Sequence, residues 1–245
     1  MIIPDWPAPD NVRAVSTTRG GGISRPPYDS LNLADHVGDS AAAVRANRDG
    51  LRQQAHLPAE PMWLKQVHGA CVIDAAKGGE RPAADASYSR QAGVVCAVMT
   101  ADCLPVLLCA REGSGVAAAH AGWRGLASGV LEATVAALGG DPRRLLAWLG
   151  PAIGPAAFEV GAEVREAFMT THPEAAAAFV SQAGGQWLAD LYQLAHIRLQ
   201  AAGVEAIYGG GLCTYTDRER FYSFRRDPLT GRMASLIWLD EDYSA

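Results

Sequence analysis

Three apolar runs of strand length follow one another in the middle of the chain, and they limit its fold more than any other feature. They cover residues 93–99, 104–109 and 115–120. An Arg-Glu-Gly-Ser turn separates the second run from the third. Short apolar runs bounded by turn residues are typical of buried strands, so this region is predicted to form part of a sheet in the core.

Further strands and helices are predicted on both sides of these runs. Alternation or apolar runs predict strands over residues 12–18, 62–74, 145–149, 206–208 and 233–239. Helical periodicity predicts helices over residues 41–51, 126–138, 162–169, 173–180 and 188–202. Ser40 is the predicted N-cap of the first helix, and Gly139 closes the second.

The mixture of strands and helices shows no regular βαβ repeat, no internal repeat and no linker rich enough to divide the chain. We therefore predict one α/β (α+β) domain with mixed sheets over residues 1–245. Hydrophobic residues make up 49% of the chain and charged residues 19%, which allows a large core and excludes global disorder.

Charge and cysteine content exclude several classes of protein. A net charge of −5 argues against nucleic-acid binding, which usually needs a basic surface. The chain begins without a signal-peptide pattern, and no apolar run reaches the length of a membrane span. Five scattered cysteines do not form a disulfide framework, so a reduced, cytoplasmic protein is expected. The sequence carries no signal for an oligomeric state.

A candidate metal site consists of His68, Cys103 and His120. Each lies at or near the end of a predicted strand, beside a glycine or proline that indicates a turn. Two imidazoles and one thiolate suit zinc, and three protein ligands leave a fourth position open, as in catalytic sites. The same residues are also consistent with a buried thiol and two histidines hydrogen-bonded in the core.

Five ordered motifs resemble the YfiH/YlmD family, and the likeness as a whole runs from Ser16 to Met233. They are Gln66-Val67-His68-Gly69, Thr100-Ala101-Asp102-Cys103-Leu104-Pro105, His120-Ala121-Gly122-Trp123-Arg124-Gly125, Leu149-Gly150-Pro151-Ala152-Ile153-Gly154-Pro155 and Phe221-Tyr222-Ser223-Phe224-Arg225-Arg226-Asp227. The family carries three labels: laccase-type polyphenol oxidoreductase, purine nucleoside phosphorylase with adenosine deaminase activity, and peptidoglycan editing factor. The resemblance implies an α/β/β/α sandwich, related in fold to cysteine hydrolases, and zinc held by His68, Cys103 and His120.

Phosphorolysis of purine nucleosides, with adenosine deamination, is the function we expect from this resemblance. Its reactants would be a small-molecule nucleoside and phosphate. Asp102 is the candidate proton shuttle beside Cys103, although a loop-capping carboxylate is an equal alternative. Arg124 is the preferred phosphate ligand because it lies at a predicted helix start. The candidates for further substrate contacts are Arg19, Asn32, Ser223 and Arg225.

Other functions are also consistent with these residues. Without metal, Cys103 and His120 would form a nucleophile–base pair for amide hydrolysis of a wrongly built peptidoglycan precursor. A multicopper oxidase is disfavoured because the six histidines include no His-x-His pair, although copper is able to replace zinc adventitiously. A non-catalytic zinc module is a further alternative. The remaining thiols, Cys71, Cys96, Cys109 and Cys213, are predicted to be buried.

Overall fold

Twelve strands and five α-helices occur in the computed structural model, which describes residues 1–240. The strands are β1 (Val12–Ser16), β2 (Val72–Asp74), β3 (Ala86–Ser89), β4 (Cys96–Thr100), β5 (Leu104–Ala110), β6 (Val116–Ala121), β7 (Leu145–Leu149), β8 (Glu159–Val160), β9 (Phe179–Ser181), β10 (Trp187–Ala189), β11 (Ala206–Gly209) and β12 (Met233–Leu239). The helices are α1 (Ala41–Gln54), α2 (Trp123–Ala127), α3 (Val130–Leu138), α4 (Ala162–Met169) and α5 (Leu191–Ala201). Residues 241–245, which the single-domain prediction includes, lie outside the described residues.

The strands form three sheets. The largest has the order β11-β7-β5-β6-β3-β2, and it is mixed because β5 is antiparallel to β6 and β7 whereas β11 is parallel to β7. A second sheet, β1-β12-β4, is antiparallel throughout. A small third sheet has the order β8-β10-β9. The predicted mixed α/β fold is confirmed.

Alternating side chains of β5 show how the layers stack. Val106 and Leu108 pack in the core that the large sheet shares with helices α2 to α5. Leu107 and Cys109 point to the opposite face and pack with Val98 and other side chains of the β1-β12-β4 sheet. Because successive side chains of a strand point to opposite faces, a strand buried on both sides must be apolar throughout, as β5 is.

A helix covers the outer face of the three-stranded sheet. Ala97 and Met99 of β4 and Leu236 of β12 pack with Leu51 of α1. The order of layers is therefore α1, the three-stranded sheet, the six-stranded sheet, and helices α2 to α5. This is the α/β/β/α sandwich that the family resemblance implies. Within residues 1–240, no helix is both long enough and apolar enough to cross a membrane.

Two predicted elements are interrupted by turns. The strand predicted over residues 62–74 is wrong for most of its length, because only Val72–Asp74 is a strand. Met62 and Lys65 form isolated bridges, and His68 has a φ of 60° in a turn. The helix predicted over 126–138 is divided into α2 and α3 by Gly129, whose φ of 92° is incompatible with a continuous right-handed helix.

Two predicted helices include residues that are strands. The segment 173–180 is a 3₁₀ helix over Pro173–Ala178 that leads into β9. The segment 188–202 begins in β10, and α5 starts only after Asp190, whose carboxylate accepts hydrogen bonds from the backbone N–H groups of Tyr192 and Gln193. Ser40 is the N-cap residue of α1 as predicted, but its side chain makes no capping hydrogen bond.

Candidate metal centre and active site

The side chains of His68, Cys103 and His120 meet at one end of the large sheet. One ligand atom from each residue lies within 4.8 Å of the other two. Cys103 immediately precedes β5 and His120 lies near the end of β6, and the pairing of Pro105 with His120 brings these ends together. The rings of His68 and His120 meet edge to face, with centroids 4.8 Å apart. The three predicted ligands form a group that could hold a metal ion.

A buried carboxylate, Asp85, holds the turn that carries His68. Its Oδ1 accepts a hydrogen bond from the backbone N–H of His68 at 2.9 Å. Its Oδ2 accepts from the N–H groups of Val67 at 3.2 Å and Gly69 at 2.7 Å. An ionised carboxylate only accepts hydrogen bonds, and here it accepts three from neighbouring backbone N–H groups. These bonds hold the turn and so fix the position of His68.

Asp85 also orients the second histidine. Its Oδ1 lies 2.8 Å from Nδ1 of His120, and both side chains are buried. This contact leaves Nε2 of His120 as the nitrogen available to the site. Burial raises the pKa of Asp85, but hydrogen bonds from His120 and from the Gly69 and His68 backbone outweigh it and hold that pKa below its ordinary value. Sequence reasoning missed Asp85, and no motif marks it.

The metal ligands influence one another's protonation. Burial raises the pKa of the Cys103 thiol, but the charge and hydrogen bonds of His120 and His68 outweigh it and lower that pKa to about 6. Burial lowers the pKa of His120, whereas Cys103 and Asp85 raise it more strongly, to about 9. The metal-free site therefore favours a thiolate beside an imidazolium at neutral pH. A thiolate is the form of cysteine that binds metals and attacks electrophiles.

A cleft of about 240 Å³ opens in front of the three ligands. One wall includes Gln66, whose side-chain amide forms two hydrogen bonds of 2.8 Å with the backbone of Met99. The lining also includes His36, Phe224 and Arg232. Phe224 is 54% exposed although its side chain is large and apolar. The cleft therefore combines metal-binding atoms, an apolar ring and a cation.

A family model for the multi-copper polyphenol oxidoreductase laccase family matches residues 13–240. The chain belongs to this family. It is 60% identical over 242 residues to the protein named Purine nucleoside phosphorylase YfiH of Escherichia coli (strain K12), a match that covers 98% of each chain. The predicted relationship to the YfiH/YlmD group is confirmed.

Two solved structures of related proteins share the fold. The Neisseria meningitidis protein NMB0706 superposes with a TM-score of 0.95 at 55% identity, covering 98% of each chain. YlmD from Geobacillus stearothermophilus superposes with a TM-score of 0.90 at 33% identity, covering 95% of this chain and 93% of that one.

Asp102, the predicted proton shuttle in a family motif, has both carboxylate oxygens engaged by protein donors. Oδ1 accepts from the Thr214 hydroxyl at 2.7 Å, and Oδ2 accepts from the backbone N–H of Arg225 at 2.6 Å. These contacts tie the loop between β4 and β5 to Thr214 and to the segment that follows Phe221. The geometry favours the loop-capping alternative, and proton transfer by Asp102 stays a prediction.

The three arginines predicted from family motifs do not line the cleft. Arg19 binds the backbone carbonyl and the carboxylate of Asp29 and stacks on Tyr222. Arg124 is exposed and lies over the ring of Trp123, 4.3 Å from its centroid. Arg225 donates to the carbonyl of Glu159 at 2.8 Å and is also exposed. A role for any of them in substrate binding stays a prediction, and the cleft gives it no support.

Asn32 and Ser223 are fully buried and serve internal contacts. The Asn32 amide donates to the Ala34 carbonyl and to Asp39, while its oxygen accepts from the N–H groups of Ala34 and Arg232. The Ser223 hydroxyl accepts from the backbone N–H of Arg226 at 3.3 Å. Neither side chain lines the cleft. A direct substrate contact stays a prediction for both, without support from their positions.

Seven residues that line the cleft were not identified by sequence reasoning, among them Gln66, Phe224, His36 and Arg232. Phe224 and Gln66 lie inside the quoted motifs, so the motifs marked their segments but not their roles. His36 and Arg232 lie outside those motifs, and no spacing in the sequence connects them with the metal ligands.

The other thiols are not all buried. Cys96 and Cys109 are buried as predicted, and burial raises the pKa of each to about 12. The prediction is wrong for Cys71, which is exposed, and for Cys213, which is half-buried. Cys71 immediately precedes β2, in the part of the predicted long strand that does not form.

Proposed function

We propose that this chain is a zinc-dependent purine nucleoside phosphorylase, with deamination of adenosine as a companion activity. The observation that carries the proposal is the cleft in which His68, Cys103 and His120 face an exposed aromatic ring, Phe224. The naming of the relative with 60% identity supports the reaction class. The substrates would be a purine nucleoside and inorganic phosphate.

The donor set fits zinc. Two imidazoles and a thiolate are ligands that zinc prefers, and the buried Asp85 behind His120 is the kind of partner that orients a ligating histidine. When bound, zinc supplies a Lewis acid that lowers the pKa of water and polarises nearby oxygens. Copper bound at this position would be an adventitious replacement, because affinity rises from zinc to copper in the divalent series.

In phosphorolysis, a phosphate oxygen bonds to the anomeric carbon while the bond from that carbon to the purine nitrogen breaks. The electron pair leaves with the base, which takes up a proton, and the products are free purine and ribose 1-phosphate. The exposed ring of Phe224 offers a face on which a planar purine can stack. The fixed amide of Gln66 closes the wall beside the metal ligands.

Products of metal-replete protein incubated with adenosine test the proposal. Adenine and ribose 1-phosphate should form only when phosphate is present, whereas inosine, the product of hydrolytic deamination, should form with or without phosphate. A reaction that yields neither adenine nor inosine would overturn both activities. Inosine without adenine would overturn phosphorolysis alone.

Elemental analysis tests the metal assignment separately. His68→Ala should lose most of the bound zinc, because two ligands rarely retain a metal that needs three. His196→Ala in α5, away from the cleft, is the matched control and should retain it. Equal zinc in both variants, or a different metal in the wild-type protein, would contradict the assignment.

Amide hydrolysis is a second candidate, favoured by one observation. The Cys103 thiol lies within 4.8 Å of ligand atoms of His68 and His120. Burial raises its pKa, but these two histidines outweigh burial and lower that pKa to about 6. A metal-free thiolate beside an imidazolium is the arrangement of a cysteine hydrolase. Cleavage of a muramyl-peptide precursor carrying the wrong amino acid, with no adenine released from adenosine, would favour this reaction.

A multicopper oxidase needs several copper centres and many histidines. In residues 1–240, His68, Cys103 and His120 form the one group of histidine, cysteine and acidic residues close enough to hold a metal. Phenol oxidation by copper-loaded protein that survives loss of Cys103 would revive that alternative.

We also propose a cytoplasmic location, which the five free thiols support.

A further inference from the structure

Arg232 is the arginine that lines the metal cleft. It immediately precedes β12, and its backbone is fixed on both sides. Its N–H donates to Oδ1 of the buried Asn32 at 3.0 Å, and its carbonyl accepts from the N–H of Leu33 at 3.3 Å. Asn32 therefore positions Arg232, although its own side chain does not reach the cleft.

The guanidinium of Arg232 is only partly used by the protein. Nη1 donates to the carbonyls of Thr230 and Gly231, each at 3.0 Å. No carboxylate of residues 1–240 forms an ion pair with it, and no acceptor in that range takes a hydrogen bond from Nε or Nη2. Burial lowers the pKa of Arg232, and the nearby Cys103 and Asp102 offset only part of that shift.

Other arginines near family motifs differ in this respect. Arg226 donates to the carbonyls of Thr214, Tyr215 and Phe221 and pairs with Asp227. Arg19 pairs with Asp29. Their donors are occupied by internal partners, whereas Arg232 keeps two nitrogen donors for a ligand. A planar guanidinium binds the oxygens of phosphate through two parallel hydrogen bonds.

Phe224 and Arg232 are neighbours in the lining of the cleft, and they bring an apolar ring and a cation close together. The guanidinium carbon of Arg232 lies 5.6 Å from the centroid of the Phe224 ring. A reaction between a purine nucleoside and phosphate needs both an aromatic surface and a cation within one small space. We propose that Arg232 binds the attacking phosphate, a role that rests on the proposed phosphorolysis and that Arg19, Arg124 and Arg225 do not fill.

Direct binding of inorganic phosphate to zinc-replete protein, measured by calorimetry, tests this role without turnover. Arg232→Gln keeps a donor for the Thr230 and Gly231 carbonyls, so the fold should persist. Its affinity for phosphate should fall at least about tenfold, because hydrogen bonds to a charged group contribute about 1.5–3 kcal/mol. Arg232→Lys should recover part of that loss. Arg52→Gln, an exposed arginine of α1, is the matched control and should bind as the wild type does.

Steady-state kinetics separate a binding role from a structural one. Arg232→Gln should raise KM for phosphate at least about tenfold, while KM for the nucleoside changes by less than about threefold. Phosphate affinity that is unchanged in Arg232→Gln, or absent from the wild type, would overturn the role of Arg232. Arg232-dependent phosphate binding without release of adenine would keep the role and overturn phosphorolysis.

Discussion

The Nδ1 atom of His120 lies 2.8 Å from Oδ1 of Asp85, and water reaches neither side chain to any extent. The same carboxylate accepts three backbone N–H groups of the turn that carries His68. One buried side chain thus fixes two of the three metal ligands. The third, Cys103, is positioned independently by the start of β5.

Asp85→Asn should weaken metal binding about 10- to 100-fold, because the ligating histidine loses the charged partner that orients it. Competition of the purified protein with a chelator of known affinity measures the change. Asp49→Asn, on the exposed face of α1, is the matched control and should not alter the competition. Equal metal affinity in the wild type and Asp85→Asn would show that the carboxylate serves only the turn.

The metal-free protein should show an unusually acidic thiol at Cys103. Alkylation by iodoacetamide should follow the thiolate, with a midpoint at pH about 6, and should fall as the pH drops below it because the thiol is then protonated. His120→Ala should move the midpoint upward, since the charge of His120 is the main influence that lowers this pKa against burial.

Mass spectrometry of separated peptides assigns the alkylation to individual cysteines. Cys96 and Cys109 serve as internal controls, because burial raises the pKa of each to about 12 and both should stay unmodified near neutral pH. A midpoint for Cys103 at the ordinary thiol value of about 8.5 would contradict the coupling to His120.

Local sequence patterns predict the core of this fold well. The segments β7 and β12 match their predicted bounds of 145–149 and 233–239, because runs buried on both faces are apolar without interruption. The predicted strand over 62–74 is wrong because its structure is set by a contact that is remote in the sequence. Its turn at His68 depends on Asp85, a carboxylate remote in the sequence, and no local pattern records that contact.

In the candidate site too, some residues are identified by local sequence and others only by the folded chain. Motifs identified His68, Cys103 and His120, since a histidine–cysteine–histidine set carries its own chemistry. They did not separate arginines that stabilise loops, such as Arg19, from an arginine that faces the ligands. Arg232 enters the cleft because Asn32 holds its backbone, and that arrangement exists only in the folded chain.

Phe224→Ala should raise KM for the nucleoside about tenfold, because stacking of a base on an aromatic ring contributes about 1–3 kcal/mol. Steady-state kinetics at saturating phosphate measure this KM. Leu229→Ala removes another exposed apolar side chain of the same loop, outside the metal cleft, and should leave KM unchanged. Equal KM values for the Phe224 and Leu229 variants would exclude Phe224 as the surface that carries the purine.

Gly122→Ala should damage the metal centre while the fold persists. Gly122 precedes α2 with φ −63° and ψ 157°, a conformation open to any residue, so alanine adds no backbone strain. Its Cβ would lie 2.8 Å from Sγ of Cys103 and 3.3 Å from Cδ2 of His68. These atoms must move apart, and overpacking of this kind costs about 1–3 kcal/mol.

Metal affinity of Gly122→Ala should therefore fall about 5- to 150-fold, measured by chelator competition, while the circular dichroism spectrum stays unchanged. Gly50→Ala in α1 is the matched control, since a Cβ there meets no atom within 4 Å and alanine favours a helix. Wild-type metal affinity in Gly122→Ala would mean that Cys103 and His68 can separate without loss of coordination, and the metal would then not depend on their close approach.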